Sequence, residues 1–231
     1  MKYDLFLFDL DDTLLDFKES ERLSFFSALR NLGVAEELDP LFRQYQVINQ
    51  ELWKLFEESK TTKDHLKVER FRRVFAMNGI ELDPVLASTR YLETLPETVV
   101  LIDHAEEICQ FLSQRGEIGI ITNGIHHVQT QRIKNSKLAP YLSFVSVSEE
   151  AGYAKPDVRF FDYTARLAKK FTKATTVIVG DRLDADIQGA LNFGIDGCWF
   201  NPAKIERGQG PRPHYEIDHL SMLKTVLQRH A

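Results

Sequence analysis

Three carboxylates fall within four positions at Asp9-Leu10-Asp11-Asp12, directly after the apolar run Leu5-Phe6-Leu7-Phe8. Bulky apolar residues without alternation predict a strand covered on both faces, as in a parallel sheet. The acids then lie where that strand ends, and open α/β sheets bind ligands beyond the carboxyl ends of their strands. Carboxylates this close repel one another unless a cation or hydrogen-bond donors balance them. An Asp-rich turn would account for the stretch equally well, so the rest of the chain has to decide. Two further apolar runs end in a similar way. Ile118–Ile121 leads into Thr122-Asn123-Gly124, and Val177-Ile178-Val179 leads into Gly180-Asp181. Lys155, followed by Pro156, lies in the loop after the run Phe144–Val147. Three carboxylates suit a hard cation such as Mg²⁺, which takes oxygen ligands and keeps several waters. A hydroxyl, backbone N–H groups and one ammonium suit the other side of a phosphate. A strand-end Thr alone is usually a cap, and a lone Lys-Pro is usually a loop. In this order, chance is a poor account of them.

The elements that must position these residues alternate in type. Between about Asp16 and Leu95 there is no convincing strand, only helical periodicity. Helices are predicted over Ser20–Leu32, with Gly33 as a stop, and over Leu41–Glu58 after Pro40. A third starts after Thr61 or Thr62 and ends near Gly79; a fourth follows Asp83-Pro84 to about Glu93. From Pro96 onward helix and strand alternate. Helices are predicted over Asp103–Gln114, Val128–Lys137, Asp157–Lys170, Ile187–Phe193 and Leu220–Gln228. Strands are predicted over Ile118–Ile121, Phe144–Val147, Thr176–Val179 and Gly197–Phe200. With Leu5–Phe8 that makes five strands. Right-handed crossovers then give an α/β, doubly wound parallel sheet with an inserted all-helical block. The expected division is a core of residues 1–15 and 96–231 and an insert of residues 16–95.

The 231 residues carry 29 Lys+Arg against 34 Asp+Glu, a formal net charge of -5. That balance offers no basic footprint for a nucleic acid polymer or an anionic membrane. Cys109 and Cys198 lie in unrelated segments without metal-ligand spacing, which fits reduced thiols and a cytoplasmic protein. The acidic start of the chain does not read as a signal peptide, and no stretch reaches the length of a bilayer span.

Asp9-x-Asp11-x-Thr13, the strand-end Thr122, Lys155-Pro156 and Gly180-Asp181-x4-Asp186 together resemble the four motifs of the haloacid dehalogenase superfamily. Ile121–Gly124, Ser148–Pro156 and Tyr45–Trp53 resemble its pyrimidine 5'-nucleotidase branch more closely. The resemblance implies a Rossmann-like core and a mobile helical cap. It implies that Asp9 is a nucleophile forming an aspartyl-phosphate, and that Asp11 is the acid that protonates the leaving alcohol and then the base that activates water. Thr122 and the Asn123 backbone would bind phosphoryl oxygens, and Lys155 would offset the charge on Asp9 and phosphate. Asp9, the Asp11 carbonyl and Asp181 would ligate Mg²⁺, with Mn²⁺ or Co²⁺ as alternatives, and Asp186 would support the metal directly or through water. Thr13 would hold the loop, and Asp184 would be solvated. An acid two residues after the nucleophile belongs to phosphatases and phosphomutases rather than to dehalogenases.

The implied substrate is a small phosphate ester, a nucleoside 5'-monophosphate such as dUMP, dTMP or UMP, handled by a monomer or dimer. Sugar-phosphate or acylneuraminate-phosphate phosphatase, phosphomutase and non-catalytic binding module are the alternatives. In the cap, Tyr45, Asn49 and Trp53 fall four apart on one stripe. Either Asn49 or Trp53 meets a nucleobase, or the aromatics are cap core and the Asn is solvated. Arg70 either contacts substrate or forms a surface ion pair. His126 and His127 read as loop residues.

Overall fold

The computed structural model describes residues 2–227. In chain order the elements are β1 (Leu5–Phe8), then α1 (Phe17–Asn31), α2 (Leu38–Glu57), α3 (Lys63–Asn78) and α4 (Pro84–Thr94). They continue with α5 (Ala105–Ser113), β2 (Glu117–Thr122), α6 (His126–Asn135), β3 (Phe144–Val147), α7 (Ser148–Ala151) and α8 (Val158–Leu167). The last are β4 (Thr176–Gly180), α9 (Gln188–Phe193), β5 (Asp196–Phe200), β6 (Tyr215–Ile217) and α10 (Leu223–Val226). The chain divides into two compact units, Met1–Phe17 with Val99–Ala231, and Lys18–Thr98.

The first unit holds a wholly parallel sheet in the order β3-β2-β1-β4-β5-β6. Strand direction of connection reverses between β1 and β4, which is where such sheets bind ligands. Both faces are covered, and this explains the unbroken apolar runs. Phe6 and Phe8 pack with Val177, Val179, Cys198 and Ile108 on one face. Leu5 and Leu7 pack with Ile178, Phe160, Phe161 and Phe193 on the other. Residue parity along β1 thus assigns side chains to two cores, as a period of two requires. All four β1 side chains are buried.

Among the described residues the sheet has six strands where five are expected. β6 is three residues long and pairs with the edge of β5, Phe200 opposite Ile217. Its Tyr-Glu-Ile composition, just after the Pro-rich loop, carries almost no strand signal. The expected final helix is a 3₁₀ turn, Leu220–Met222, followed by the single turn of α10; Gln228 lies outside the described residues. His126 and His127 are not loop residues but form the first turn of α6.

The second unit is helical throughout. Thr62 caps α3 by accepting from the His65 backbone N–H, and Gly79 ends it at φ 64°. Asp83 caps α4, with Pro84 in its first turn. Phe25, Phe42, Tyr45, Phe71, Phe75 and Tyr91 form its buried aromatic centre. No helix among the described residues is long and apolar enough to cross a membrane.

Both cysteines are fully buried, and burial alone pushes the Cys109 thiol up to about 12 and the Cys198 thiol higher still. A thiol that is buried and protonated does not react. A disulfide exchange reagent at pH 8 is therefore expected to label neither cysteine in the folded protein and both in denaturant. Rapid labelling of the native protein would contradict this packing.

Candidate active site

The site is built from the residues that follow β1, β2 and β4, with Lys155 from the loop beyond β3 and α7. After β1 the chain folds tightly back, with the Leu14 and Leu15 backbone N–H groups both donating to Leu10 O (3.0 and 2.9 Å). Asp12 takes a left-handed conformation within this loop, φ 58°. Thr13 is fully buried at its centre. Its Oγ1 donates to Asp9 Oδ2 (3.3 Å) and accepts from the Asp181 backbone N–H (3.1 Å). Thr13 thereby ties the end of β1 to the end of β4.

Beyond β4 the chain turns through a π-helical segment, Leu183–Ile187. This brings the buried Asp186 back over Gly180, where a Cβ would stand 2.3 Å from its Cγ. Only glycine leaves that room. Asp186 Oδ2 accepts from the Arg182 backbone N–H (3.1 Å). Its other oxygen faces Lys155.

Lys155 uses all three of its donors. Nζ donates to Asp9 Oδ1 (2.5 Å), Asp186 Oδ1 (2.7 Å) and Ile121 O (3.0 Å). The Asn123 side chain clamps the Lys155 backbone, donating to its carbonyl (3.0 Å) and accepting from its N–H (2.9 Å). The Asn123 side chain thereby fixes the lysine backbone.

Asp9, Asp181 and Asp186 each offer a carboxylate oxygen, all within 4.8 Å of one another. Burial raises the Asp9 carboxyl to about 7, with Lys155 pulling down and Asp186 and Asp11 pushing up. Burial likewise raises Asp181 to about 8, helped by Asp9 and Asp186. For Lys155 burial opposes the charge, but Asp186 and Asp9 outweigh it and hold its pKa above the ordinary value. Three carboxylates thus share one ammonium, and the excess is what a divalent cation would balance. An all-oxygen set of this kind fits a hard cation such as Mg²⁺.

Asp11 is held from the other side. Arg132 Nη1 donates to its Oδ1 in a short ion pair, and Gln129 Nε2 donates to its Oδ2 (2.6 Å). Gln129 also donates to Thr122 Oγ1 (3.0 Å) and accepts from Arg132 Nη1 (2.9 Å). The Gly124 backbone N–H donates to the same Thr122 oxygen (3.0 Å). Sequence reading missed Gln129 and Arg132. The available signal was two large polar residues three apart on a face of α6 that also carries Val128 and Ile133.

The cap candidates lie in the helical unit. Asn49 is not solvated: its amide donates to Glu21 (2.8 Å) and accepts from Arg70 Nη1 (3.0 Å). Nor is Arg70 in a surface ion pair. It is 2% exposed, with its guanidinium over the rings of Tyr45, Phe71 and Tyr91. Trp53 is half-buried and meets Phe56 edge-on. Asp184 pairs with Arg182 at the surface.

The family model described as haloacid dehalogenase-like hydrolase matches residues 6–200. YfnB of Bacillus subtilis, named as a HAD-hydrolase, is 37% identical over 229 residues, covering 98% of this chain and 96% of its own. Its crystal structure bound to magnesium matches with a TM-score of 0.90 at 36% identity, covering 98% of this chain and 99% of that one. The pyrimidine 5'-nucleotidase PynA of Streptococcus pneumoniae is 36% identical over 219 residues, 94% of this chain and 92% of that protein. The pyrimidine 5'-nucleotidase YjjG of Escherichia coli is 29% identical over the full length of both chains. The chain belongs to the haloacid dehalogenase-like hydrolase family, in the branch that holds pyrimidine 5'-nucleotidases.

Proposed function

We propose that this phosphoric monoester hydrolase removes phosphate from nucleoside 5'-monophosphates, pyrimidines ahead of purines, through an aspartyl-phosphate on Asp9. The observation that carries this reading is the buried Asp9 carboxylate, paired with Lys155 and facing Asp181 and Asp186. The similarity to two named pyrimidine 5'-nucleotidases supports the substrate class.

In this reading an Asp9 oxygen attacks phosphorus and the P–O bond to the nucleoside breaks. Asp11 gives its proton to the departing oxygen, then takes one from the water that hydrolyses the acyl-phosphate, so the enzyme returns unchanged. The Thr122 hydroxyl and the Asn123 backbone N–H hold phosphoryl oxygens. Lys155 favours the ionised form of Asp9 against its burial and offsets phosphate charge. Asp9, Asp181 and the Asp11 carbonyl, with Asp186 beside them, are the residues that would hold Mg²⁺. When bound, the cation would neutralise charge on the phosphoryl oxygens. The helical unit Lys18–Thr98 serves as the cap that excludes water from the chemistry and reads the leaving group. We assign base contact to Trp53. Asn49, bonded to both Arg70 and Glu21, acts with Arg70 by holding together the helices around it.

A phosphate-release panel tests the substrate. The expected result is that dUMP, dTMP or UMP is hydrolysed roughly 10- to 100-fold faster than purine monophosphates or hexose phosphates, the range a few base contacts supply. Preference for a sugar phosphate would move the chain to another branch while leaving its reaction class intact. Trp53→Ala is expected to compress the pyrimidine preference and spare hydrolysis of an aryl phosphate. Asn49→Ala is expected instead to lower the melting temperature, because Glu21 and Arg70 lose the amide that joins them. Excess chelator is expected to remove activity, and Mg²⁺ to restore it. Undiminished turnover in chelator would exclude the metal.

A further inference from the structure

Gln129 and Arg132 occupy an unusual position for side chains outside the four motifs. Arg132 is fully buried, and its Nε and Nη2 atoms have no hydrogen-bond partner among the described residues. Among the described residues its carboxylate partner is Asp11, and its guanidinium lies 5.2 Å from the Phe17 ring centre. A buried cation is costly unless paired, so its placement against this one carboxylate calls for a reason. Gln129 is 2% exposed and touches both Asp11 and Thr122. Its orientation follows from chemistry: arginine only donates, so the amide oxygen must face Arg132, which leaves the nitrogen to face Asp11 and Thr122.

The consequence falls on Thr122. A hydroxyl has two acceptor lone pairs and one proton. Both acceptor positions of Thr122 Oγ1 are filled, by the Gly124 backbone N–H and by Gln129 Nε2. The hydroxyl proton is then left to donate, which is the role an anionic oxygen needs.

We infer that Gln129 and Arg132 form a positioning pair: Gln129 commits the Thr122 hydroxyl to donating to a phosphoryl oxygen, and together they fix the Asp11 carboxylate for proton transfer. This rests on the roles given above to Thr122 and Asp11. Neither residue is assigned contact with the substrate; each acts through Thr122 or Asp11. Gly124 belongs to the device, since a Cβ there would stand 2.3 Å from Gln129 Nε2.

The two halves are separable by experiment. Gln129→Met keeps the side-chain length and removes the donor. It is expected to weaken competitive inhibition by inorganic phosphate and to raise KM, each about tenfold, within the range for residues that orient a ligand-binding group. Gly124→Ala, which displaces Gln129 without altering it, is expected to shift both in the same direction. Arg132→Met is expected to lower kcat for UMP, an alkyl ester that needs a proton on its leaving oxygen, by about tenfold more than the rate of phosphoenzyme formation from p-nitrophenyl phosphate, whose leaving group needs none. Arg132→Lys should recover part of that difference. A merely structural role would lower the melting temperature and all substrates in proportion, with phosphate inhibition unchanged, and that result overturns the inference. Thr122→Val and Asp11→Asn serve as references. If they move phosphate affinity and leaving-group sensitivity while the Gln129 and Arg132 variants do not, the positioning pair alone fails. If they too move neither, the assigned roles fail.

Discussion

Asp9→Asn is expected to lower turnover by at least about 10³-fold while leaving the protein folded. The amide has nearly the carboxylate's shape but cannot attack phosphorus, and loss of a nucleophile removes the covalent route altogether. The fold should not suffer. Burial and neighbouring acids hold the Asp9 carboxyl up at about 7. An acid whose folded pKa is raised favours folding most below its unfolded pKa, and that contribution is lost as pH rises through the folded value. At pH 8 the ionised Asp9 is therefore a liability that Asn removes, while Lys155 keeps Asp186 as a partner. The melting temperature in chelator at pH 8 is expected to be no lower than that of the wild type. Turnover is read by phosphate release, and the acyl-phosphate by trapping on Asp9 with beryllium fluoride and Mg²⁺. Activity within about tenfold of wild type would sink the nucleophile assignment.

Lys155→Met is expected to destabilise the protein by about 3–5 kcal/mol, the cost of breaking a buried pair by removing one member. Lys155 is 3% exposed and bridges Asp9 and Asp186. Without it Asp9, Asp181 and Asp186 lie within 4.8 Å of one another with no ammonium among them. Methionine fills the volume, so the loss is electrostatic rather than a cavity. The check is urea unfolding with and without Mg²⁺. In chelator the full loss is expected. With Mg²⁺ a large part should return, because a divalent cation replaces the missing charge. A loss below about 1 kcal/mol in chelator would mean that the carboxylates relieve one another by taking up protons. Equal loss with and without Mg²⁺ would argue against a cation among these three acids.

Both predictions concern residues whose convergence was legible in the sequence, and the reason is topological. β1 and β4 are neighbours in a parallel sheet, so residues directly after them emerge at one edge. Apolar runs covered on both faces announce such strands plainly. Sequence thus put Asp9 and Asp181 at one edge of the sheet, and the pairing of β1 with β4 makes them neighbours there. Lys155 and Asp186 arrive on loops, where spacing carries less information. Their positions became readable only through a recognised combination of motifs. β6 and the π-helical turn at Leu183–Ile187 had no such signal, one because three residues carry little pattern, the other because its hydrogen bonding departs from helical period.

The amino-acid sequence by itself determined the alternation of elements, the all-helical insert, and which strand ends carry acids. Those follow from local periodicity and from the chemistry of single residues. Tertiary structure alone decided what the polar side chains on helices do. On sequence grounds Gln129 and Arg132 were two polar positions of an ordinary helix, and Asn49 and Arg70 were candidates for substrate contact. The fold buries all four. Once water is excluded, each must find its partner inside the protein. Gln129 and Arg132 find Asp11, while Arg70 finds Asn49 and Asn49 in turn finds Glu21. A sequence shows which groups are polar, but which of them lose water and to whom they turn depends on packing between elements distant along the chain.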